Sequence, residues 1–457
     1  MSRRKLALGI GSTAAEKGIV AGVQLLLLPV LANGWGLELY GIWAVMYTIP
    51  GFLVLSDFGI VTSAWARMTD FVSRGQEDRA RTVLHTAWLV TALIGAALVA
   101  LLASVLWALP PGTLPVSSTL TEAQSRHTLF VLVAYGVMTV PFKLGTCVLS
   151  ATNRYSLSAW SMAAVFFVEN MALLIAVLAG AGLPEAALVL FVARLSALLV
   201  LLALVARLTP QLAVGIGGAR WAEWRALWRP ALSASVFTIG FLGFMQGSVV
   251  ALGIAAGAAA VPAFVAVRTL SRIGLQATVL VIHPAAQQFG HEMAKGDHYR
   301  AGRYLGLVAA STLVLAGGMA VAFTAFGQPA IELWTGGAIR PPWALVALMA
   351  LASLMGALWN GVSNFLLIVN RPQAIAIASI AGGTAGIVLI LVLGGRLGSP
   401  AVGIACALTD LVILLAAIRF VWRHWWQNPE FRRGAMASLS DFAAPLAMLR
   451  ALRRRGS

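Results

Sequence analysis

The sequence has little cysteine, little acid and few charges of any kind. It contains two cysteines and 16 Asp and Glu among 457 residues, and charged residues make up 11% of the chain. Cys147 and Cys406 both fall in apolar segments and lack metal-ligand spacing, so we expect no disulfide framework and no metal or other cofactor. No nucleophile or phosphate-loop motif occurs, which argues against an enzyme.

Apolar residues are abundant instead. They make up 60% of the chain, and the mean hydropathy is +0.88. A soluble domain does not need so many, so the composition indicates an integral membrane protein. Apolar runs of about 20 residues, enough to cross roughly 30 Å of hydrocarbon, recur along the chain. Twelve spans are predicted, at 10–33, 39–63, 83–108, 127–151, 158–180, 185–206, 230–256, 261–287, 304–327, 342–368, 373–394 and 399–421.

The net charge of +16 lies on one side of these spans. With Met1 inside, the outer loops contain only Arg126, Arg340 and Arg396 as basic residues, so the positive-inside rule predicts that both termini are cytoplasmic. The excess then indicates anionic lipids beside the basic cytoplasmic loops and the tail segment LRALRRR (449–455), and no nucleic acid. A solvated tail without lipid contacts is an equal alternative.

An internal repeat divides the chain. RGQEDRA (74–80) resembles KGDHYRA (295–301), TNRY (152–155) resembles VNRP (369–372), and AGLPEAALVLFVARL (181–195) resembles LGSPAVGIACALTDL (397–411). Their offsets of 221, 217 and 216 residues are almost constant. Six spans in each half give both halves the same orientation, which predicts a pseudo-twofold axis along the membrane normal and a cavity between two bundles.

The predicted fold is therefore an all-α membrane protein with two six-helix lobes around a central V-shaped cavity. We expect an N-terminal lobe at 1–207, a cytoplasmic linker at 208–229, a C-terminal lobe at 230–422 and a basic cytoplasmic tail at 423–457.

The eighth span contains a stripe of polar residues. Arg268, Arg272, Gln276, His283 and Gln287 are spaced by 4, 4, 7 and 4 residues, which places all of them on one helix face. An arginine at the bilayer centre costs about 2.5 to 3.5 kcal/mol even on the lenient insertion scale, so this face should avoid lipid. It faces either a hydrated cavity or partner charges on other helices.

Cations in a cavity suit an anionic ligand, since Arg binds phosphate oxygens bidentately and remains charged. The hypothesis is that Arg268 and Arg272 bind a phosphate or pyrophosphate headgroup. Further polar positions of the spans are assigned as follows: Lys17, Lys143, Gln276, His283, Asn360 and Asn364 to the same headgroup, Asp57, Glu169 and Asp410 to coupling with H⁺ or Na⁺, and Arg194 with Asp410 to a structural bridge.

Two longer segments carry a family resemblance. The stretch LYGIWAVMYTIPGFLVLSDFGIVTSAWARMTDFVSRGQEDRA (39–80) and the stretch NRPQAIAIASIAGGTAGIVLILVLGGRLGSPAVGIACAL (370–408) resemble Wzx-type O-antigen and exopolysaccharide flippases. These belong to the multidrug/oligosaccharidyl-lipid/polysaccharide exporter superfamily. The resemblance implies translocation of undecaprenyl-pyrophosphate-linked oligosaccharide across the bacterial inner membrane by alternating access, driven by H⁺, Na⁺ or the membrane potential, with polysaccharide polymerase machinery as a partner.

Four alternatives remain open at this point, one of which is a lipid-facing scaffold with no transport role, for which the buried charge would be an unexplained cost. A drug and cation antiporter of the same superfamily would favour a carboxylate-rich cavity, whereas basic residues outnumber acidic ones in these spans. A lipid II flippase would resemble its family in the basic residues on the first and eighth helices, but the second helix here carries Asp57 and no mid-helix Arg. A membrane enzyme would need a larger outer loop with catalytic residues.

Overall fold

The structure is a computed structural model that describes residues 3–54, 59–369, 371 and 373–438. Within this range, side chains are described except at 3–17, 54, 229–230, 232–238, 273–275, 277, 280, 284 and 374. The described chain is helical, and the one isolated β-bridge in it joins Ser117 and Leu120. The predicted all-α class is therefore confirmed.

The chain divides into two units, Met1–Gly253 and Ile254–Ser457. The helices of the first unit are α1 Arg3–Met46, α2 Thr48–Val54, α3 Ile60–Ser73, α4 Glu77–Ala108, α5 Glu122–Ala151, α6 Tyr155–Leu178, α7 Leu183–Leu208 and α8 Trp221–Ala256, whose last three residues lie beyond the division. The helices of the second unit are α9 Val261–Lys295, α10 His298–Trp334, α11 Trp343–Ile368, α12 Gln373–Leu397, α13 Pro400–His424 and α14, residues 429–438.

Each unit is built around one central helix. In the first unit α5 packs against α2, α3, α4, α6 and α7, and in the second α11 packs against α9, α10 and α13. The start of α5 is fixed by a capping box, in which Thr121 and Gln124 each bond the other's backbone N–H. A helix surrounded by others buries apolar residues on all sides, which explains why α5 shows little amphipathic pattern.

The first helix is interrupted where the sequence predicts a turn between two spans. Gly36 has φ 74° and ψ 168° inside α1, a conformation outside the helical region that glycine adopts without steric strain. The predicted second span, 39–63, includes residues 55–58, which lie outside the described residues. Helix α3 continues beyond that span to Ser73.

Ten helical segments of the described residues are long and apolar enough to cross a membrane. The predicted eighth span, 261–287, is not among them, although α9 covers it as a continuous helix of 35 residues. The predicted total of twelve spans, the two six-helix bundles and the cytoplasmic termini therefore remain predictions.

The internal repeat has matching backbone geometry in both units. Gly75 and Gly296 adopt φ 71° and φ 79°, and helices α4 and α10 each begin two residues later. Pro184 and Pro400 occupy the first turn of α7 and α13, where proline lacks only a donor that the helix does not use. The sequence similarity thus reports two copies of one local structure.

The predicted linker, 208–229, overlaps the start of α8, and the predicted domain bounds stay predictions. Residues from Trp221 onward belong to α8, and the division falls between Gly253 and Ile254. The segment between α7 and α8 is fixed to α4. The ring of His85, on α4, contacts both the carbonyl oxygen of Ala213 (3.1 Å) and the backbone N–H of Gly218 (2.9 Å).

The predicted tail, 423–457, is folded in its first part. Helix α14 packs closely on α10, since a Cβ at Gly302 would lie 2.1 Å from the carbonyl oxygen of Phe431, and one at Gly434 would lie 1.9 Å from that of Tyr299. Ser438 donates a hydrogen bond to the carbonyl oxygen of Arg303 (2.9 Å). The basic segment 449–455 lies outside the described residues.

Replacing Gly302 by alanine should displace α14. The new methyl group would meet backbone that cannot move independently, so we expect a loss of about 1 to 3 kcal/mol in docking. Limited trypsin digestion after Arg432 and Arg433 should become faster. Gly317→Ala on the same helix is the matched control, because nothing lies within 4 Å of the point that its new methyl group would occupy. Equal digestion of both variants would contradict the close packing.

Candidate functional site

Helix α9 has an exposed polar face and a buried face. Arg272, Gln276, His283 and Gln287 are exposed, and Arg268 is partly exposed. The adjacent buried side packs into the second unit through Phe264, Val267, Ser271, Thr278, Ile282 and Phe289. The residues predicted to share one face therefore lie on the side of α9 that the protein does not cover.

Arg268 is oriented by its own helix. Its guanidinium carbon lies 4.9 Å from the centre of the Phe264 ring, one turn earlier, a distance at which cation and ring attract each other. The hydroxyl of Ser271 donates to the Arg268 carbonyl oxygen at 3.1 Å. The contact with the Phe264 ring restricts where the guanidinium can point.

A carboxylate from α13, Asp410, lies near Arg272. The indole N–H of Trp359 donates to Oδ1 of Asp410 at 2.8 Å. The charge of Arg272 acts on Asp410, and both arginines act electrostatically on Cys406, one turn before it on α13. The second unit thus brings together two guanidinium groups and one carboxylate, and this cluster has a net positive charge.

Asn360 and Asn364 are partly buried on α11 and are bonded to each other. The side-chain amide of Asn364 donates to the backbone carbonyl of Asn360 at 2.9 Å and to its side-chain oxygen at 2.7 Å. Trp359, which contacts Asp410, immediately precedes this pair. The asparagines therefore lie on the same helix as Trp359. The hydrogen bond between their side chains leaves fewer polar groups available to a ligand.

Two further predicted cations and one predicted acid belong to the first half of the chain. Lys143 lies on α5 of the first unit and is partly buried. The side chain of Lys17, on α1, lies outside the described residues, and so does Asp57. Of the charged site residues predicted from the sequence, Arg268, Arg272 and Asp410 belong to the second unit.

The first unit contains a closed polar network. The guanidinium of Arg194 donates two hydrogen bonds to the carboxylate of Glu169, one from Nε and one from Nη2, the latter at 2.7 Å. The Tyr135 hydroxyl donates to Glu169 (3.1 Å), accepts from Arg194 (3.1 Å) and contacts the Tyr47 hydroxyl (3.4 Å). Glu169 and Arg194 are only 1% and 9% exposed. Such a pair is tolerated in an apolar interior because its hydrogen bonds are nearly complete.

This network changes two sequence predictions. Arg194 pairs with Glu169 of its own unit and not with Asp410, whose contacts described above come from the second unit. The prediction used matched repeat positions, but a long guanidinium side chain reaches the nearest carboxylate on the neighbouring helix. Glu169, predicted as a coupling carboxylate, has Arg194 and Tyr135 as partners.

Sequence analysis missed three residues of these sites. Tyr47 and Tyr135 complete the network around Glu169, and Trp359 binds Asp410. Each is an aromatic residue with one polar group inside an apolar span. A buried indole or phenol usually has a hydrogen-bond partner, so these residues could have been searched for beside the mid-span charges.

Two other features do not belong to the arginine face. A cavity of about 70 Å³ lies on the buried side of α9, lined by Leu270, Ser271, Ala316, Met319, Ala320, Phe323, Ala350 and Ser353. Its size is below the range of about 300 to 1,000 Å³ that is typical of ligand pockets. In the part of the chain that is described, no three His, Cys, Asp or Glu residues cluster as metal ligands.

Known structures resemble this chain over nearly its whole length, whereas no protein-family model and no curated protein matches its sequence. A multidrug resistance MATE family transporter of the MOP superfamily aligns with a TM-score of 0.70 at 11% identity, covering 94% of this chain and 99% of that one. Lipid II flippase MurJ aligns with a TM-score of 0.69 at 14% identity, covering 95% and 92%. The chain has the fold of these membrane transporters.

A third structure differs in its binding site. It is a MOP superfamily transporter from Pyrococcus furiosus, described as having a binding pocket of reverse polarity, with a TM-score of 0.58, 11% identity and coverage of 96% and 95%. At these identities the likeness concerns the fold. The chain shares the all-helical fold of these transporters, and the polysaccharide branch remains a prediction.

Replacing Arg194 by methionine should strongly destabilise the first unit. The change leaves the Glu169 carboxylate buried without its cation, which costs about 3 to 5 kcal/mol. Thermal unfolding of purified protein in detergent measures the loss. Arg74→Met is the control, because Arg74 pairs with Asp70 at 2.8 Å on an exposed surface, where such a pair contributes about 0.2 to 1 kcal/mol. Similar losses in both variants would show that the network is not a structural centre.

Proposed function

We propose that this protein is a transporter that moves undecaprenyl-pyrophosphate-linked oligosaccharide across the bacterial inner membrane by alternating access, for surface polysaccharide synthesis. The observation that supports this most is the exposed face of α9, where Arg268 and Arg272 lie one turn apart. Exposed guanidinium groups at mid-span are too costly in lipid, so this face borders water or ligand.

The chemistry of the face suits a pyrophosphate. Two arginines one turn apart, about 6 Å along the helix axis, present two planar donor groups to neighbouring phosphoryl groups. Gln276, His283 and Gln287 continue the exposed face beyond them and supply donors and acceptors for sugar hydroxyls. Asp410 lowers the net charge of the cluster, which favours release of the bound anion.

The physical task also fits the transporter fold. Each sugar hydroxyl that enters hydrocarbon without a partner costs several kcal/mol, so an oligosaccharide needs a polar path. A polyprenyl tail can remain in lipid while the headgroup passes. An inside-negative potential assists an outward-moving anion by about 2.3 kcal/mol per charge per 100 mV.

Asp410 is the coupling carboxylate in this proposal. It lies beside Arg272 and is bonded by Trp359, so a proton or Na⁺ at Asp410 changes the charge that the arginines present to the anion. Glu169, by contrast, already has three hydrogen bonds from Arg194 and Tyr135.

A lipid II flippase is the second candidate function. MurJ has the same fold at a TM-score of 0.69, and lipid II flipping is the role in that structure's name. The proposed pyrophosphate site would serve either substrate, because the two differ in the sugars. Lipid-linked intermediates that accumulate when the protein is depleted would distinguish them: repeat-unit glycans support the first function and lipid II supports the second.

Replacing Arg272 or Arg268 by glutamine should weaken anion binding. Loss of one charged hydrogen-bonding group removes about 1.5 to 3 kcal/mol, so the affinity for undecaprenyl pyrophosphate should fall roughly ten- to hundredfold. Calorimetry in detergent measures binding, and a proteoliposome assay with a fluorescent pyrophosphoryl-linked sugar measures flipping. Arg272→Lys should lose less.

The control is Arg396→Gln, an exposed arginine in the last turn of α12 that should leave binding and flipping unchanged. Wild-type affinity and flipping in both Arg268→Gln and Arg272→Gln would rule out the proposed site. Binding of organic cations by wild type without binding of pyrophosphates would favour the drug antiporter.

Replacing Asp410 by asparagine should separate binding from coupling. Asparagine retains an oxygen that accepts from Trp359 but cannot exchange a proton or bind Na⁺ strongly. We expect pyrophosphate affinity to rise a few-fold and flipping to lose its dependence on pH or Na⁺ gradients. Proteoliposomes with imposed gradients measure this, and an unchanged gradient dependence would assign coupling to another residue.

A further inference from the structure

Helix α13 has an exposed apolar stripe that is directed at lipid. Leu408, Leu411, Leu415 and Ile418 recur at helical spacing and are between 38% and 57% exposed. The buried positions Ile413 and Ala417 lie on its other side and pack into the second unit. An uncovered stripe of this kind on a membrane helix contacts acyl chains.

This stripe ends in tryptophan and arginine. Trp422 continues it and is 58% exposed, and its ring stacks on Trp426 with centroids 6.4 Å apart. Arg419 and Arg423 are exposed on the same side of the helix, within about 60° of the stripe's edge at 100° per residue. Tryptophan is enriched where hydrocarbon meets headgroups, which locates the headgroup level at this end of α13.

The docked helix α14 places two more arginines near this end. Its buried face, with Phe431, Gly434, Ala435 and Ser438, is fixed against α10. Its other face exposes Arg432, Arg433 and Met436. Glu430 is the one acidic residue from Arg419 to Ser438, so this surface is strongly basic.

We propose that the end of α13 together with the outer face of α14 is a binding surface for anionic phospholipids. The phosphate groups bind Arg419, Arg423, Arg432 and Arg433, while the acyl chains lie along the α13 stripe. Two features support a lipid over a soluble anion: the arginines continue an acyl-contacting surface, and the tryptophans between them match the interface.

Native mass spectrometry of the full-length protein in detergent, titrated with phosphatidylglycerol and phosphatidylcholine of identical acyl chains, tests this proposal. Wild type should bind phosphatidylglycerol preferentially. Each arginine near a membrane surface contributes about 1 kcal/mol to anionic lipid binding, so each loss weakens it roughly fivefold. Arg419→Gln with Arg423→Gln, and Arg432→Gln with Arg433→Gln, should each reduce the preference by more than tenfold.

The charge-matched control is Arg340→Gln with Arg396→Gln, which removes two exposed arginines elsewhere in the second unit. An unchanged preference in both test variants, or an equal loss in the control, would overturn the proposal. Competition by millimolar inorganic phosphate would also overturn it, because it would indicate a site for free anions. Digestion by trypsin at wild-type rates at sites outside the substitutions confirms that α14 remains docked.

Discussion

A charge inside a membrane needs either a partner or water, and this constraint explains how the protein arranges its mid-span charges. The two units meet it in opposite ways. In the first unit Glu169 and Arg194 neutralise each other and Tyr135 completes their hydrogen bonds, so the charges can be fully enclosed. In the second unit Arg272 is exposed, with the carboxylate of Asp410 near it, and Arg268 lies one turn earlier on the same helix.

This asymmetry between two copies of one local structure has a functional consequence. A closed ion pair stabilises a bundle but presents little charge to a ligand. An exposed cluster with two cations and one anion can exchange its partner when an anionic headgroup arrives. Under the proposed function, the second unit supplies most of the headgroup recognition.

Sequence periodicity could predict much of this. Spacings of four and seven residues placed Arg268 to Gln287 on one face, and the repeat located equivalent turns at Gly75 and Gly296. Pair partners could not be predicted, because Arg194 and Glu169 are joined by packing of α6 and α7 and not by any sequence pattern. The docking of α14 was missed as well, since a short helix with charged residues resembles a solvated tail until its glycines meet a neighbour's backbone.

Water accessibility of the α9 face is the property on which the functional proposal depends. It can be measured in membrane vesicles with a charged methanethiosulfonate reagent, using a chain in which alanine replaces Cys147 and Cys406. Arg272→Cys and Gln276→Cys should react quickly and be protected by undecaprenyl pyrophosphate, whereas Ile282→Cys, on the buried face, should react slowly. Failure of both exposed positions to react from either side of the membrane would show that this face is enclosed or in lipid, and would contradict the proposed site.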